Sequence, residues 1–161
     1  MELIKLHDRF KELELEWRVQ QDSMSNGKVW AKVLTYVDAR AVMRRLDMVA
    51  GPGNWRDEYV HMANGVMCGI SIKIADEWVT KWDGSPETQV ESFKGGISKS
   101  FVRCAVKWGV GRYLYNLPVM FAEVTDSTSD RSFSGYVKKT DKHPAYRWNP
   151  PKLPKEYLPE G

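Results

Sequence analysis

Hydrophobic and polar residues alternate through the middle of the chain, a pattern typical of β-strands with one buried face. The alternation is strictest over residues 66–75, where apolar side chains from Val66 to Ile74 occupy every second position. Residues 55–62 and 78–82 read as strands on either side of it. Asn64-Gly65 and Asp76-Glu77 separate the three segments and favour tight turns. The pattern predicts a three-stranded antiparallel meander.

Helical spacing of apolar residues appears in three other segments. The first is residues 2–19. The second starts at Thr35, which we assign as its N-cap with Asp38 in a variant of the capping box, and it ends at Gly51-Pro52-Gly53-Asn54. The third is a long helix over about residues 90–115. Residues 119–124 read as a further strand at a sheet edge.

This order of elements predicts an α+β fold with a β-β-β-α core, in which the meander packs on the long helix. N-terminal helices precede the core and an additional edge strand follows it. The length of 161 residues suits one domain plus a tail. We divide the chain into a domain of residues 1–124 and an extended, proline-rich C-terminal arm of residues 125–161.

The long helix carries a charge of one sign. Residues 92–122 contain no Asp or Glu, although the whole chain has a formal net charge of only +3. The basic residues in this range are Lys94, Lys99, Arg103, Lys107 and Arg112. A local surplus of positive charge of this length favours a polyanionic partner.

The register of the helix separates these cations from its apolar residues. At about 100° per residue, Lys99, Arg103 and Lys107 form one stripe. The apolar stripe lies roughly opposite and contains Ile97, Phe101, Cys104, Ala105 and Trp108. An ordinary solvated helix face is the alternative interpretation, but such a face normally includes Glu to offset repulsion between like charges.

Aromatic residues also occur among basic ones. The chain has seven Trp and seven Tyr, and Lys28-Val29-Trp30-Ala31-Lys32 is the clearest interleaved segment. Single-strand binding surfaces combine cations that hold phosphates with rings that stack on bases. Core or subunit contacts remain the simpler explanation for most of the Trp residues.

No catalytic constellation emerges from the sequence. The chain has no phosphate-binding loop, its three His residues are scattered, and Cys68 and Cys104 lie in apolar patterns that suit free, buried thiols. We therefore expect a binding protein rather than an enzyme, with no metal and no cofactor. Apolar runs are too short to cross a bilayer and no signal peptide is evident, so we expect a cytoplasmic protein.

Three motifs together resemble the Rad52 superfamily of single-strand annealing proteins, especially its DdrA-type DNA damage response members and the phage Sak annealing proteins. The first is the segment from Tyr36 to Val42, and the second is the turn that ends in Asn54-Trp55. The third and most specific runs from Lys99 to Gly109 and continues through Tyr113-Leu114-Tyr115-Asn116-Leu117-Pro118. The resemblance covers about residues 30–120.

This resemblance implies a β-β-β-α core, assembly into ring-like oligomers, and single-stranded DNA bound in a basic groove around the outside of the ring. It also implies annealing of complementary strands without ATP, in recombination and DNA repair. Arg103 matches a DNA-binding position of the family. The preceding residue, often Lys in eukaryotic members, is Val102 here, which suggests that Lys99 or Lys107 carries part of the phosphate contact.

All candidate DNA-binding residues are basic: Lys99, Arg103, Lys107, Lys94, Arg112, Lys73, Lys81, Arg40, Arg44 and Lys32. The expected partners are single-stranded DNA and further copies of the chain, with a single-strand DNA-binding protein or a recombinase as additional candidates. The expected location is the cytoplasm of a bacterial or phage-infected cell, in association with the nucleoid.

Three other functions remain open at this point. A double-stranded RNA binder or another nucleic-acid module would prefer a different polyanion. An oligomeric interaction protein would use the basic helix as a subunit contact. A nuclease would require a divalent metal and would degrade the strand.

Overall fold

The computed structural model describes residues 1–86 and 92–161, with side chains from residue 95 onward in the second range. The described chain forms two compact units. Unit 1 comprises Met1–Leu15, Val37–Asn116 and Pro159–Gly161, and unit 2 comprises Glu16–Tyr36 and Leu117–Leu158.

Unit 1 contains the predicted meander and the long helix. The strands β3 (Trp55–Met62), β4 (Gly65–Ile74) and β5 (Glu77–Pro86) form an antiparallel sheet in that order. Helix α2 (Ser92–Lys107) packs against β4 and β5. The predicted α+β class and β-β-β-α core are therefore confirmed.

Both turns of the meander lie one residue earlier than predicted. Met62 pairs with Gly65 across the first hairpin, and Ile74 pairs with Glu77 across the second. The second turn, Ala75-Asp76, has positive φ at both residues, the geometry of a two-residue turn that suits the twist of a hairpin.

Helix α2 is shorter than predicted. It ends at Lys107, and a 3-10 helix, Arg112–Asn116, follows instead of a continuous helix to residue 115. Gly109 and Gly111 adopt positive φ between the two, which ends the α-helical conformation. The apolar side chains of Phe101, Cys104 and Trp108 are buried, as the helical register predicts.

Helix α1 (Ala39–Ala50) begins three residues later than expected. Its N-cap is Asp38, whose carboxylate accepts a hydrogen bond from the backbone N–H of Ala41 at 2.8 Å. Thr35 is not the cap, because it lies in a strand and its hydroxyl donates to the carbonyl of Glu16. The helix ends at Ala50 with Gly51 as its C-cap, where the sequence predicts the end.

The predicted first helix, residues 2–19, is wrong. The segment forms two short 3-10 helices, Leu3–His7 and Glu12–Glu14, and then enters strand β1 (Leu15–Ser25). The buried Arg45 of α1 holds this segment, since its guanidinium donates to the backbone carbonyls of Asp8 and Arg9 and lies 4.2 Å above the ring of Phe10. Backbone carbonyls that an α-helix would use internally are thereby satisfied by a side chain.

Unit 2 contains two further sheets. Strands β1, β2 (Lys28–Val37) and β6 (Met120–Phe121) form the first, in that order, and Asn26-Gly27 makes the turn between β1 and β2. Strands β7 (Glu123–Thr125), β9 (Tyr146–Asn149) and β8 (Gly135–Val137) form the second. The strand predicted at residues 119–124 is therefore divided between two sheets, at an edge of each.

The residues after 124 are more ordered than an extended arm. They contain β8, β9 and a final 3-10 helix, Lys155–Tyr157. A buried polar cluster anchors them to β1: the hydroxyl of Tyr146 donates to the Asp22 carboxylate at 2.7 Å, and Nε2 of His143 lies 3.0 Å from the same oxygen. The division of the chain at residue 124 stays a prediction.

Candidate nucleic-acid interface

Three cations stand in a row on the solvent side of α2. Lys99, Arg103 and Lys107 are all exposed, whereas Phe101 and Trp108 on the opposite side are buried. The indole N–H of Trp108 donates to the carbonyl of Ile70 in β4 at 3.0 Å, which fixes the rotation of the helix on the sheet. The predicted separation of a basic stripe from an apolar stripe is confirmed.

Arg103 has an acidic neighbour on the sheet. Its Nε lies 4.0 Å from a carboxylate oxygen of Asp83 in β5, and the two side chains are 54% and 27% exposed. An ion pair at this distance and exposure is weak, about 0.2–1 kcal/mol, so a phosphate can compete for the guanidinium. Lys99 and Lys107 form no ion pair with any residue in the described ranges.

Two other predicted site residues form hydrogen bonds with the C-terminal end of α2. Lys81 Nζ donates to the carbonyl of Lys107 at 3.1 Å and lies 4.5 Å from the ring centroid of Trp108. Arg112 donates to the carbonyls of Val106 and Lys107, both at 3.0 Å. Cations at this end interact favourably with the negative pole of the helix dipole, and they donate to carbonyls that lack a partner within the helix. Both side chains remain exposed at the end of the basic row.

Lys73 lies on the opposite face of the meander from α2. In β4, the buried Ile70 and Ile72 are on the helix side, and the alternation of a strand places Lys73 on the other side. There it pairs across the sheet with Trp78 and lies 4.0 Å from Asp76. The structure therefore does not bring Lys73 together with the cations of α2.

Arg40 and Arg44 are exposed on α1. Arg44 lines a cavity of about 1060 Å³ between α1 and the N-terminal segment, together with Arg9 and Lys11. Arg40 and Arg44 belong to unit 1, but they lie on a different helix from the basic row.

Lys32 lies in unit 2. It is half-buried on β2 and pairs with Phe121 of β6. The side chain of Lys94 lies outside the described residues.

The described residues include two cysteines and several carboxylates that could in principle bind a metal. Cys68 and Cys104 are free and buried, as predicted, and the contact with Cys104 together with burial raises the pKa of the Cys68 thiol, which keeps it protonated near neutral pH. No group of three metal-ligating side chains occurs among residues 1–86 and 92–161. In the same ranges, no helix is long and apolar enough to cross a membrane.

The sequence contained one signal at this site that we did not use. Asp83 is the acidic neighbour of the basic row, and its position follows from the alternation of β5, which places Lys81, Asp83 and Ser85 on one side. Since Asp83 pairs with the inward-facing Cys68, the hairpin register alone assigns it to the helix side.

Comparison with known proteins assigns the chain to a family. A family model described as Rad52/22 family double-strand break repair protein matches residues 3–133. The chain is 36% identical over 99 residues to the single-stranded DNA-binding protein DdrA of Deinococcus radiodurans, an alignment that covers 60% of this chain and 47% of that protein. It is 32% identical over 99 residues to the single-stranded DNA-binding protein DdrA of Deinococcus deserti, covering 60% and 49%. The chain thus spans about half the length of these curated relatives. No solved structure matches.

Proposed function

Because this chain belongs to the Rad52/22 family of double-strand break repair proteins, we propose that it binds single-stranded DNA and anneals complementary strands. The names of the two relatives state single-stranded DNA binding, which supports the first part of the proposal. The observation that carries it on this chain is the exposed row of Lys99, Arg103 and Lys107, whose opposite helix face is packed on the sheet.

The geometry of the row suits a phosphate backbone. Residues four apart on a helix are about 6 Å apart along its axis, which is close to the spacing of phosphates along an extended strand. Contacts of this kind position the strand without reading its sequence. A strand held by its phosphates keeps its bases free to pair with a complement, so annealing follows from binding without ATP or a catalytic group.

We propose further that several copies act together, as a ring-like homo-oligomer in the cytoplasm near the nucleoid. Few phosphate contacts per subunit give modest affinity, and repetition along one strand raises it through avidity. A single-strand DNA-binding protein or a recombinase would be a further partner in recombination.

The test is annealing of two complementary labelled oligonucleotides without ATP or metal, over a series of salt concentrations. The informative variant is Lys99→Glu/Lys107→Glu, and the matched control is Lys139→Glu/Lys142→Glu, which makes the same charge change at two exposed lysines of unit 2. We expect wild type and the control to accelerate annealing and the helix variant to lose most of the acceleration.

The slope of affinity with salt adds a second criterion. Each phosphate contact on a single strand contributes about −0.7 to the log–log slope, so loss of two contacts should reduce its magnitude by about 1.4. Equal loss in both variants would show that only net charge matters. Unchanged annealing by the helix variant would refute the proposal and favour a protein contact for the basic row. Degradation of the strand would indicate a nuclease instead.

A further inference from the structure

A surface that is both aromatic and basic lies on the first sheet of unit 2, separate from the basic row on α2. Strand β2 places Lys28, Trp30, Lys32 and Tyr36 on one face because successive side chains alternate. On the other face, Ala31, Val33 and Val37 are buried. The face that carries Trp30 is the less buried of the two along β2: Trp30, Lys32 and Leu34 are partly buried, and Lys28 and Tyr36 are exposed.

Strand β6 extends this face. Phe121 pairs with Lys32 across the sheet, so the two side chains lie on the same side. The ring of Phe121 meets that of Trp30 edge to face with centroids 6.2 Å apart, and its side chain remains 54% exposed. Tyr36, farther along β2, is 40% exposed.

Strand β1 completes the face on its other side. Asn26-Gly27 has positive φ at both residues, which is the geometry of a two-residue hairpin turn and places Ser25 opposite Lys28. Counting from that pair, Trp17, Val19, Gln21 and Ser23 share the face with Trp30. None of these residues is fully buried.

The charge of this face has one sign. We define the β2 platform as the residues that β1, β2 and β6 place on it: Trp17, Val19, Gln21, Ser23, Ser25, Lys28, Trp30, Lys32, Leu34, Tyr36 and Phe121. Within these described strands the platform holds two lysines, four aromatic rings and no carboxylate. Acidic side chains of β1, such as Asp22 and Glu16, point to the other face by alternation.

We propose that the β2 platform stacks unpaired bases of single-stranded DNA, with Lys28 and Lys32 contacting the adjoining phosphates. Rings that are partly exposed and held in place can stack on any base, and lysines beside them attract the backbone. The platform carries two lysines and no carboxylate in the described strands, so its charge is complementary to a phosphate backbone. The proposal rests on the function proposed above and adds a contact to bases, which the row on α2 does not provide.

The experiment compares two oligonucleotides of equal length and charge, an oligo-dT and an abasic strand with the same backbone. Phosphate contacts alone bind the two equally, whereas stacking favours oligo-dT. We expect wild type to prefer oligo-dT, and Phe121→Ala to reduce oligo-dT affinity by roughly fivefold or more while leaving abasic affinity unchanged. The matched control is Tyr136→Ala, which removes a ring of similar exposure (56%) from β8.

A measurement on the wild-type chain avoids dependence on the folding of a variant. An oligonucleotide carrying 5-iododeoxyuridine crosslinks on irradiation to side chains stacked on the modified base, and mass spectrometry locates the linked residue. Linkage to Phe121, Trp30 or Tyr36 is the expected result. Linkage confined to other residues would overturn the proposal.

The remaining outcomes separate this proposal from the first. Equal affinity of wild type for oligo-dT and abasic DNA would refute the β2 platform and leave the phosphate row intact. Absence of binding to either strand would refute both proposals. If Phe121→Ala changes the sedimentation coefficient but not the preference for oligo-dT, the face is a contact between copies of the chain, and the platform is refuted.

Discussion

Neutralising Asp83 is expected to strengthen DNA binding, although it removes an ion pair from the protein. The Asp83 carboxylate lies 4.0 Å from Nε of Arg103 and is the acidic group closest to the basic row in the described structure. In Asp83→Asn the side-chain oxygen can still accept the hydrogen bond that the backbone N–H of Gly84 donates at 2.7 Å. The local backbone should therefore persist while the negative charge is lost.

The size of the effect follows from the exposure of the pair. An ion pair that is about half exposed on one side contributes about 0.2–1 kcal/mol. If binding must first weaken that pair, its removal should raise affinity by roughly 1.4- to fivefold per subunit. The log–log salt slope should also steepen by up to about 0.7, because Arg103 becomes fully available to a phosphate.

Fluorescence anisotropy of a labelled oligo-dT over a salt series measures both quantities. Asp76→Asn is the matched control, since it changes net charge identically, and Asp76 lies 4.0 Å from Lys73 on the sheet face away from α2. A similar gain in both variants would mean that only net charge governs binding. Weaker binding by Asp83→Asn would show that the pair orients Arg103 for DNA, contrary to the reasoning here.

Two further predictions concern stability. Trp108→Ala should lower the free energy of unfolding by about 3–5 kcal/mol, because it leaves a cavity under α2 and removes the hydrogen bond to the Ile70 carbonyl. Urea denaturation measures this change. A stable variant that is defective only in DNA binding would instead place Trp108 in the site. Burial and the bond to Asp22 raise the pKa of Tyr146 above its unfolded value of about 10. The contribution of Tyr146 to folding stability is therefore complete below pH 10 and is lost as the pH rises further. Tyr146→Phe should reduce the loss of thermal stability above pH 10. An unchanged dependence of the melting temperature on alkaline pH would contradict this assignment.

The core of unit 1 could be predicted because its signals are local. The apolar alternation of β4 has a period of two, and the apolar stripe of α2 has the period of a helix. Each pattern extends over ten or more residues, long enough to distinguish the two conformations. The hairpin turns shifted by one residue because turn residues such as Asn64 are compatible with neighbouring positions in the loop.

The N-terminal segment shows where periodicity fails. Leu6, Phe10 and Leu13 are spaced as on a helix, and the first two are buried, but Leu13 is 88% exposed. Apolar residues at this spacing can also reach a core from short 3-10 turns. The contacts that favour those turns come from Arg45, some 36 to 40 residues later, and no local pattern records them.

Unit 2 was harder to predict because its contacts join distant parts of the chain. Strands β6 to β9 have two to four residues each, too short for a period to appear. Their position depends on pairs such as Tyr146 and Asp22, 124 residues apart. A single His or Tyr in a polar segment gives no indication of such a partner.

The candidate site was predictable in its helix but less so in its sheet. Composition and register were enough to identify Lys99, Arg103 and Lys107. The sheet lysines required the face of each strand: Lys81 lies on the helix side and Lys73 on the other. The alternation of β4 and β5 in the sequence is enough to assign Lys81 and Lys73 to opposite faces of the sheet.

The two proposed surfaces make different demands on annealing. Phosphates remain exposed when a duplex forms, so the row on α2 can keep its contacts while a complement pairs with the strand. A base stacked on Phe121 or Trp30 must leave the ring before it can pair, and each such contact costs about 1–3 kcal/mol to break. A forming duplex gains about 1.4 kcal/mol per base-pair step. At the upper cost of about 3 kcal/mol per contact, that gain displaces the stacked bases only if they are fewer than about half of the bases that pair. Efficient annealing therefore requires the platform to hold few bases per subunit while the helix row holds most of the strand.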